Sequence, residues 1–498
     1  MAIDIIQRPY CFIQPASTPT VFTCELQNIV LNETNVKFIC EVYVGRDLAV
    51  LTALPVATLK ASPNAAGVGM FDVSPIIEAY VDLSFEGRKG ITTNNPNQNS
   101  TFKTVPFSSS EPHAIHQIDN FCTNSENLVW YWLKMRIEYR NTTTGLVEVD
   151  DSHDKDTVIR MVYNGVLGNT DPITYFNDWY YYNPQDVQYE NGSGDYFIRG
   201  TFGSAAGGRF ISNMPTQQYI GENDYGTIAF FNCLNNGDFR TNPADPNNAI
   251  QSITLRFYDE NNATTQTNTY LNVPVNGGKS SQTADKDTSV YWVYFGHGLA
   301  NMKGRGETWP SNSTGYEVFA NNDEDKRPTS RVYRFDIIPE SCKGYKPVRL
   351  CWQNMLGAWD YYTFNMKSKT TVKSKRKNYQ QLAGTWNERI WRPKDHLGGM
   401  KVFNNVAAES LTLNTDYVSE ETAAWLQELF TSSQVYIVNS FSDTNPVPGF
   451  SRARYIHKYI EPVIVKSSSY TRKTTANDGL IKYDIKIDKS KPLNIQRA

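Results

Sequence analysis

Along this chain apolar and polar positions alternate in short runs, the two-residue period expected of strands half-buried in a sheet. Phe38-Ile-Cys-Glu-Val-Tyr-Val44 alternates or runs apolar over its length and stops at Gly45-Arg46. Thr20 to Ile29 and Leu48 to Leu59 flank it with similar lengths, so three short strands separated by turns predict a sandwich. A 3.6-residue period in Val73 to Tyr80, after Asp72, predicts a short helix or turn that closes this first unit. Leu128 to Tyr139 is expected to pair with Gly145 to Val149 across Asn141-Thr-Thr-Thr-Gly145, and Ile250 to Tyr258 with Thr267 to Val273 across Asp259 to Thr265. Further strands are expected at Val158 to Tyr163, Tyr175 to Tyr182, Thr227 to Phe231, Ser289 to Phe295, Val332 to Ile338, Val348 to Gln353, Tyr455 to Val465 and Leu480 to Ile487. The clearest helix comes late, at about 419–431: Ser419 is placed to cap it, acids fill its first turn, and Trp425, Leu426, Leu429 and Phe430 form one stripe.

These elements predict a mainly β protein of several sandwich-like domains with few short helices. An N-terminal sandwich spans 1–90, a linker or long excursion 91–115, a central β-rich region 116–340, and a C-terminal β-rich domain with the one helix 341–498. The boundary rests on the Asn-, Ser-, Thr- and Pro-rich stretch from Lys89 to Pro112. The 498-residue length suits several cores better than one. No fixed-period repeat is visible, which disfavours propellers and solenoids. Strands that follow one another without intervening helices argue against a doubly wound α/β enzyme.

Composition narrows the function. Thirty Tyr, 24 Phe and 10 Trp provide ring surface for cores and subunit seams. Forty-eight basic and 51 acidic side chains leave a net charge of −3, so the chain as a whole has no field for gathering nucleic acid or an anionic membrane. The longest nearly apolar stretch, Leu48 to Leu59, is interrupted by Pro55 and too short to cross a bilayer. The start MAIDIIQRPY lacks a basic and then apolar leader, and the expectation is a protein made in a cytoplasm and released, if at all, by lysis. Seven cysteines, Cys11, Cys24, Cys40, Cys122, Cys233, Cys342 and Cys351, include no C-x-x-C pair and read as buried thiols. Without export, the N-x-S/T triplets at Asn32, Asn99, Asn141, Asn191, Asn262 and Asn312 mark only polar loops.

Local chemistry is sparse. Gly278-Lys279-Ser280 lacks the earlier glycine of a phosphate loop. His113-x-x-His116 has no third ligand nearby, and Asp150-Asp-Ser-His-Asp-Lys-Asp156 lacks the glycine and terminal glutamate of a calcium loop. Neither a metal nor a cofactor is expected. No nucleophile elbow, zinc-protease motif or dinucleotide fingerprint is present, so an enzyme is not expected. Acids beside rings, as in Asp178-Trp179 and Trp359-Asp360, leave a glycan-cleaving enzyme as one alternative and a glycan-binding module as another.

One charge run stands apart. Met366 to Lys377 carries Lys367, Lys369, Lys373, Lys375, Arg376 and Lys377 with no acid, directly after an apolar strand. It either stays solvated as a loop or extends as an arm against a neighbouring subunit. Nucleic acid is disfavoured, because no aromatic ring interleaves the run to stack on bases.

The segment Phe335-Asp-Ile-Ile-Pro-Glu-Ser-Cys342 leads into Val348-Arg-Leu-Cys-Trp-Gln-Asn-Met-Leu-Gly-Ala-Trp-Asp-Tyr-Tyr-Thr-Phe364, followed by the basic stretch and Tyr379. It resembles a strand, W-x-N-x-x-G-x-x-D-Y-F/Y-T-F turn and strand found in large virion proteins of tailed bacteriophages, including crAss-like and marine phages. The unit ending at Phe71-Asp-Val-Ser-Pro-Ile-Ile-Glu-Ala-Tyr80 and the late helix with Ser432-Ser-Gln-Val-Tyr-Ile437 look similar to the same group, about a third of the chain in all. The resemblance implies a tail, neck or baseplate component, and it brings no catalytic residue with it. Trp359 stands where smaller residues are common in that pattern. Read from the residues themselves, Asn354 and Gly357 supply a tight turn, and Trp352, Trp359, Tyr361 and Phe364 pack its two strands on a common core. The expectation is therefore a virion structural subunit that assembles in several copies around a symmetry axis. Its partners would be other copies of itself and other virion proteins, with no membrane, and a host surface glycan stays open as a ligand.

Overall fold

The computed structural model describes residues 2–9, 13–46, 54–82, 86–87, 113–114, 121–123, 127–166, 210–231, 252–271, 292–304, 307–321, 328, 330–338, 345–439, 460–467 and 481–497. The chain is mainly β, with several sheets and a few short helices. It divides into two compact units, one of residues 1–338 with 353–360 and 441–453, the other of residues 339–352, 361–440 and 454–498.

The first unit begins with a two-layer sandwich. Its central strand, Leu128–Arg140, pairs antiparallel along most of its length with Thr34–Gly45. Alternation decides which face each residue takes. Val129, Tyr131, Leu133, Met135, Ile137 and Tyr139 enter a core that also holds Phe38, Cys40 and Val42 from the neighbouring strand. The opposite face carries Lys134, Arg136 and Glu138. Arg136 contacts Glu41 at 3.3 Å and also pairs with Asp151, Lys134 contacts Asp154 at 2.9 Å, and Glu138 contacts Lys60 at 2.6 Å. The second layer is the three-stranded sheet Asp4–Gln7, Val21–Glu25, Val68–Asp72, which contributes Phe22, Cys24 and Phe71 to the same core.

The expected hairpins at Leu128 to Val149 and Ile250 to Val273 are present as Leu128–Arg140 with Val147–Val149 and Ser252–Tyr258 with Thr264–Leu271. Thr20 to Ile29 is not one strand. The chain leaves the sheet after Glu25 and turns into the helix Gln27–Asn32. Leu26, Ile29 and Val30 recur at helical spacing and pack on the sandwich core, so burial rewards a turn of helix there over extension. The short helix near Val73 is Ser74–Glu78, with proline in its first turn. Of the 91–115 linker only His113–Ala114 is described, paired with Glu86–Gly87. The expected strand at Tyr175 to Tyr182 lies outside the described residues.

A second layer pair of the first unit combines the sheet Gln217–Gly221, Tyr333–Ile338, Gly315–Asn321, Ser252–Tyr258, Thr264–Leu271 with the sheet Thr227–Phe231, Trp292–Gly296, Phe121–Thr123. Ile253, Leu255 and Phe257 of the first sheet share a core with Phe230, Val293 and Phe295 of the second.

The second unit is one long sheet in the order Trp359–Phe364, Val348–Gln353, Val435–Val438, Ile460–Val465, Asp484–Lys489, Gly399–Asn414, Lys369–Gln381, with Asn494–Arg497 also on Gly399–Asn414. The helix Glu420–Thr431 starts as its sequence dictates: the Ser419 hydroxyl accepts from the Thr422 amide at 3.2 Å, and Glu420 and Glu421 sit at the positive end of the dipole. Trp425, Leu426 and Leu429 are buried, with Trp425 5.0 Å from the ring of Trp352.

A candidate interaction surface: the basic ribbon and its aromatic tip

Lys369–Gln381 and Gly399–Asn414 form a two-stranded ribbon whose register runs from Lys369 opposite Thr412 to Gln381 opposite Gly399. At about 3.4 Å per residue the first strand is roughly 40 Å long. Near its base Gly399–Asn414 has further partners on its other side, Asp484–Lys489 against Ser410 to Asn414 and Asn494–Arg497 against Asn404 to Ala407. Among the described residues Lys369–Gln381 is the last strand of the sheet and no strand pairs with its outer edge. Every residue from Lys369 to Gln380 is exposed.

Alternation sorts the predicted cations. Lys369, Lys373, Lys375 and Lys377 share one face with Thr371, while Arg376 lies on the other with Thr370, Val372 and Ser374. The lysine face therefore carries a charge about every 7 Å over its central stretch. Lys367 precedes the strand, and its carbonyl accepts from the Asn414 side chain. Among the described residues no ion pair engages these six cations. The acids at the ribbon's base contact other lysines, Lys489 with Glu409 at 3.0 Å and Glu461 at 3.4 Å and Lys466 with Asp488 at 3.4 Å, and of the row Lys373 adds a longer-range attraction to Asp488.

The lysine row runs into rings. A bulge between Lys377 and Asn378 leaves Phe403 as the extra residue of the opposite strand, and Tyr379 meets Phe403 edge-on at 6.3 Å. The connecting loop is held from within. The Trp386 and Trp391 indole N–H groups both donate to the Ala383 carbonyl, at 2.8 and 3.1 Å, and the Thr385 amide donates to the Arg392 carbonyl at 3.1 Å. Gly384 has φ +73°, and a Cβ there would stand 2.4 Å from Trp391 Nε1, so only glycine allows both indoles onto one carbonyl. The rings stay exposed, Trp386 at 65% and Trp391 at 53%, beside exposed Leu382, Ile390 and Met400. An ordered apolar cluster of this kind, rimmed by charge, has the composition of a contact surface.

The predicted turn residues lie elsewhere. Trp352, Asn354, Trp359, Tyr361 and Phe364 are buried. Asn354 accepts through Oδ1 from the amides of Leu356 at 3.1 Å and Ala358 at 2.8 Å, and donates through Nδ2 to the Ile211 carbonyl at 2.9 Å and to Asp360 Oδ1 at 3.1 Å. Gly357 has φ +84°, its carbonyl accepts from Asn127 Nδ2 at 3.2 Å, and a Cβ on it would lie 1.9 Å from the Asn164 carbonyl oxygen. Arg349 donates to the Thr363 hydroxyl at 2.7 Å and lies over the Tyr361 ring. These residues hold polypeptide in place and present no convergent reactive groups.

The other sequence candidates are structural where described. In the acidic turn Asp150 accepts from the Ser152 amide, and Asp151 and Asp154 pair with Arg136. Cys24, Cys40 and Cys351 are buried free thiols, and burial pushes the Cys24 thiol up to about 12, far from thiolate reactivity. His116, Gly278-Lys279-Ser280, Asp178-Trp179, Cys11, Cys233 and Cys342 lie outside the described residues, as do the side chains of His113 and Cys122. Among the described residues no three His, Cys, Asp or Glu side chains are grouped to hold a metal, and no helix is long and apolar enough to cross a membrane.

Trp386, Trp391 and Phe403 are surface residues that the sequence reading overlooked, and Tyr379 entered it only as the residue following the basic stretch. They flank the basic run at distances along the chain that mean little until the ribbon folds back. A second overlooked signal is charge partition. Residues 1–338 hold 37 acidic and 24 basic side chains, a net −13, while residues 339–498 hold 14 and 24, a net +10. No protein-family model matches the chain, and no curated protein matches its sequence.

Proposed function

We propose that this chain is a structural subunit of a tailed-phage particle, a tail, neck or baseplate component, present in several copies around a symmetry axis. The ribbon carries the reading. Two tryptophans pinned to one carbonyl at the end of a long exposed strand remain more than half exposed, and a partner surface would bury them as rigid aromatic anchors. The turn around Asn354 and the late helix, which resemble segments of phage virion proteins, supply the particle. Mass spectrometry and electron microscopy of purified virions test it. The expected result is this chain in stoichiometric multiple copies, with ribbon density against a neighbouring subunit. A chain absent from particles and monomeric in solution would end the reading.

The exposed indole faces also favour a second reading, recognition of a host surface glycan at the tail tip, since flat rings stack on sugars. Under it, a glycan array gives hits that Trp386→Ala and Trp391→Ala abolish. An array without hits discards it.

A further inference from the structure

We infer that the ribbon's partner is the acidic first unit of a second copy of this chain, so that copies associate head to tail. This rests on the assembly reading above and adds the surface, the occupant and the symmetry of the contact. Residues 367–401 hold ten basic and two acidic side chains, a net +8 in thirty-five residues, and they lie in the unit opposite in sign to residues 1–338. The segment's lysine row is exposed, and among the described residues it has no ion-pair partner. A chain divided into +10 and −13 parts attracts its own copies only when unlike parts meet.

Symmetry follows from the same charges. In an isologous dimer through the strand's outer edge, which has no partner among the described residues, Lys369–Gln381 of one copy would lie antiparallel to itself and set lysines against lysines, an arrangement that edge lysines oppose. The ribbon must therefore meet a different surface, and the contact is heterologous except where two copies exchange ribbons reciprocally in a closed pair, which the capping experiment below separates. Repetition then closes a ring or propagates a filament. The tip completes the contact: Trp386 and Trp391 are the buried anchors, and the lysine row steers the approach and is weakened by salt.

The test uses the full chain, wild type and two variants, K373E/K375E/K377E and W386A/W391A, all changes at exposed positions. Sedimentation at low and high salt is expected to show wild-type self-association that salt weakens, with each variant losing at least about tenfold in affinity. A zero-length carbodiimide, applied to a mixture of isotopically light and heavy chains, is expected to join Lys373, Lys375 or Lys377 of one copy to carboxylates within residues 1–338 of another. The charge-reversed variant keeps its own acidic unit, so when added to wild type it should cap growing assemblies, as a head-to-tail contact requires and an isologous one does not. Assembly as tight in both variants as in wild type, or cross-links confined to residues 339–498, overturns this inference and leaves the assembly reading standing. A wild-type chain that stays monomeric and instead retains a single-stranded thymidine oligonucleotide through the same lysines overturns it in favour of nucleic acid. Absence from particles as well would end the assembly reading too.

Discussion

The strands Leu128–Arg140 and Lys369–Gln381 are each 13 residues long and each lie in a sheet, yet the first is buried at most positions and the second exposed at nearly all. Length and pairing do not separate them. What differs is whether a second layer covers a face. Leu133, Met135 and Ile137 meet Phe22, Cys24 and Phe71 across the sandwich, whereas Lys373, Lys375 and Lys377 form a row among which no apolar side chain stands. The sandwich strand thus gains its stability from burial. The ribbon strand gains its stability from one long register and leaves its side chains exposed.

The sharpest way to break that contrast is in the sandwich. Leu133→Ala removes a fully buried side chain from a packed core, and urea unfolding of the full chain should show a loss of about 2–5 kcal/mol in the transition of the first unit. Truncating Val372 in the ribbon, which is 55% exposed, should leave that transition where it was.

Next in size is the turn at Gly357. A side chain there must adopt a left-handed backbone, costing about 1–2 kcal/mol, and must also displace the Asn164 carbonyl that its Cβ would meet. Gly357→Ala should therefore cost about 2 kcal/mol or more by the same measurement. Gly384→Ala is the ribbon's counterpart, with a similar φ, and its Cβ would stand 2.4 Å from Trp391 Nε1 and 2.7 Å from the Arg392 carbonyl oxygen. It should cost about 1–2 kcal/mol in unfolding, while moving Trp391 off the Ala383 carbonyl.

How far these regions could be read from sequence follows from the same contrast. Local features were legible: the Leu128 hairpin, the Asn354 turn and the Ser419-capped helix each depend on residues within a few positions of one another. The pairing of Leu128–Arg140 with Thr34–Gly45 was not, because two apolar strands some ninety residues apart fit many partners equally well by pattern. The basic run was visible as a possible arm, but its partner strand Gly399–Asn414 lacks a clean period, since its residues change from ribbon to core along its length. With that strand unseen, the rings at Tyr379, Trp386, Trp391 and Phe403 seemed unrelated to the lysines. No ring interleaves the run itself, but Tyr379 and Phe403 meet just beyond its end, a neighbourhood that only the folded ribbon creates.

A smaller effect should come from pH. Burial favours the neutral form of Asp336, but donation by Gln217 at 2.7 Å, Tyr258 at 2.7 Å and Arg334 at 2.9 Å outweighs it and holds the carboxyl below its ordinary range. With the folded value depressed, this group stabilises the fold above the unfolded carboxylate pKa and loses that contribution as pH falls through the folded value. Urea midpoints measured from neutral pH down to the acid limb should fall more steeply for wild type than for Asp336→Asn. Equal slopes would mean that the three donors do not favour the ionised form.

The smallest effect on stability belongs to the ribbon lysines, and its smallness is informative. Because Lys373, Lys375 and Lys377 are solvated and make no ion pair among the described residues, K373T/K375T/K377T should leave the unfolding midpoint within about 0.5 kcal/mol of wild type. Threonine also suits a strand at least as well as lysine does. What the triple change removes is a row of like charges along an edge that has no strand partner among the described residues, and such a row opposes pairing of one ribbon with another. Light scattering at low salt should therefore show the threonine variant forming irregular aggregates while wild type remains clear or forms discrete assemblies. A large loss of stability in this variant would mean that the lysines hold the ribbon together, and the contrast with Leu128–Arg140 would collapse. Unchanged stability with new aggregation would show that these charges govern what the ribbon meets and contribute nothing to how it folds.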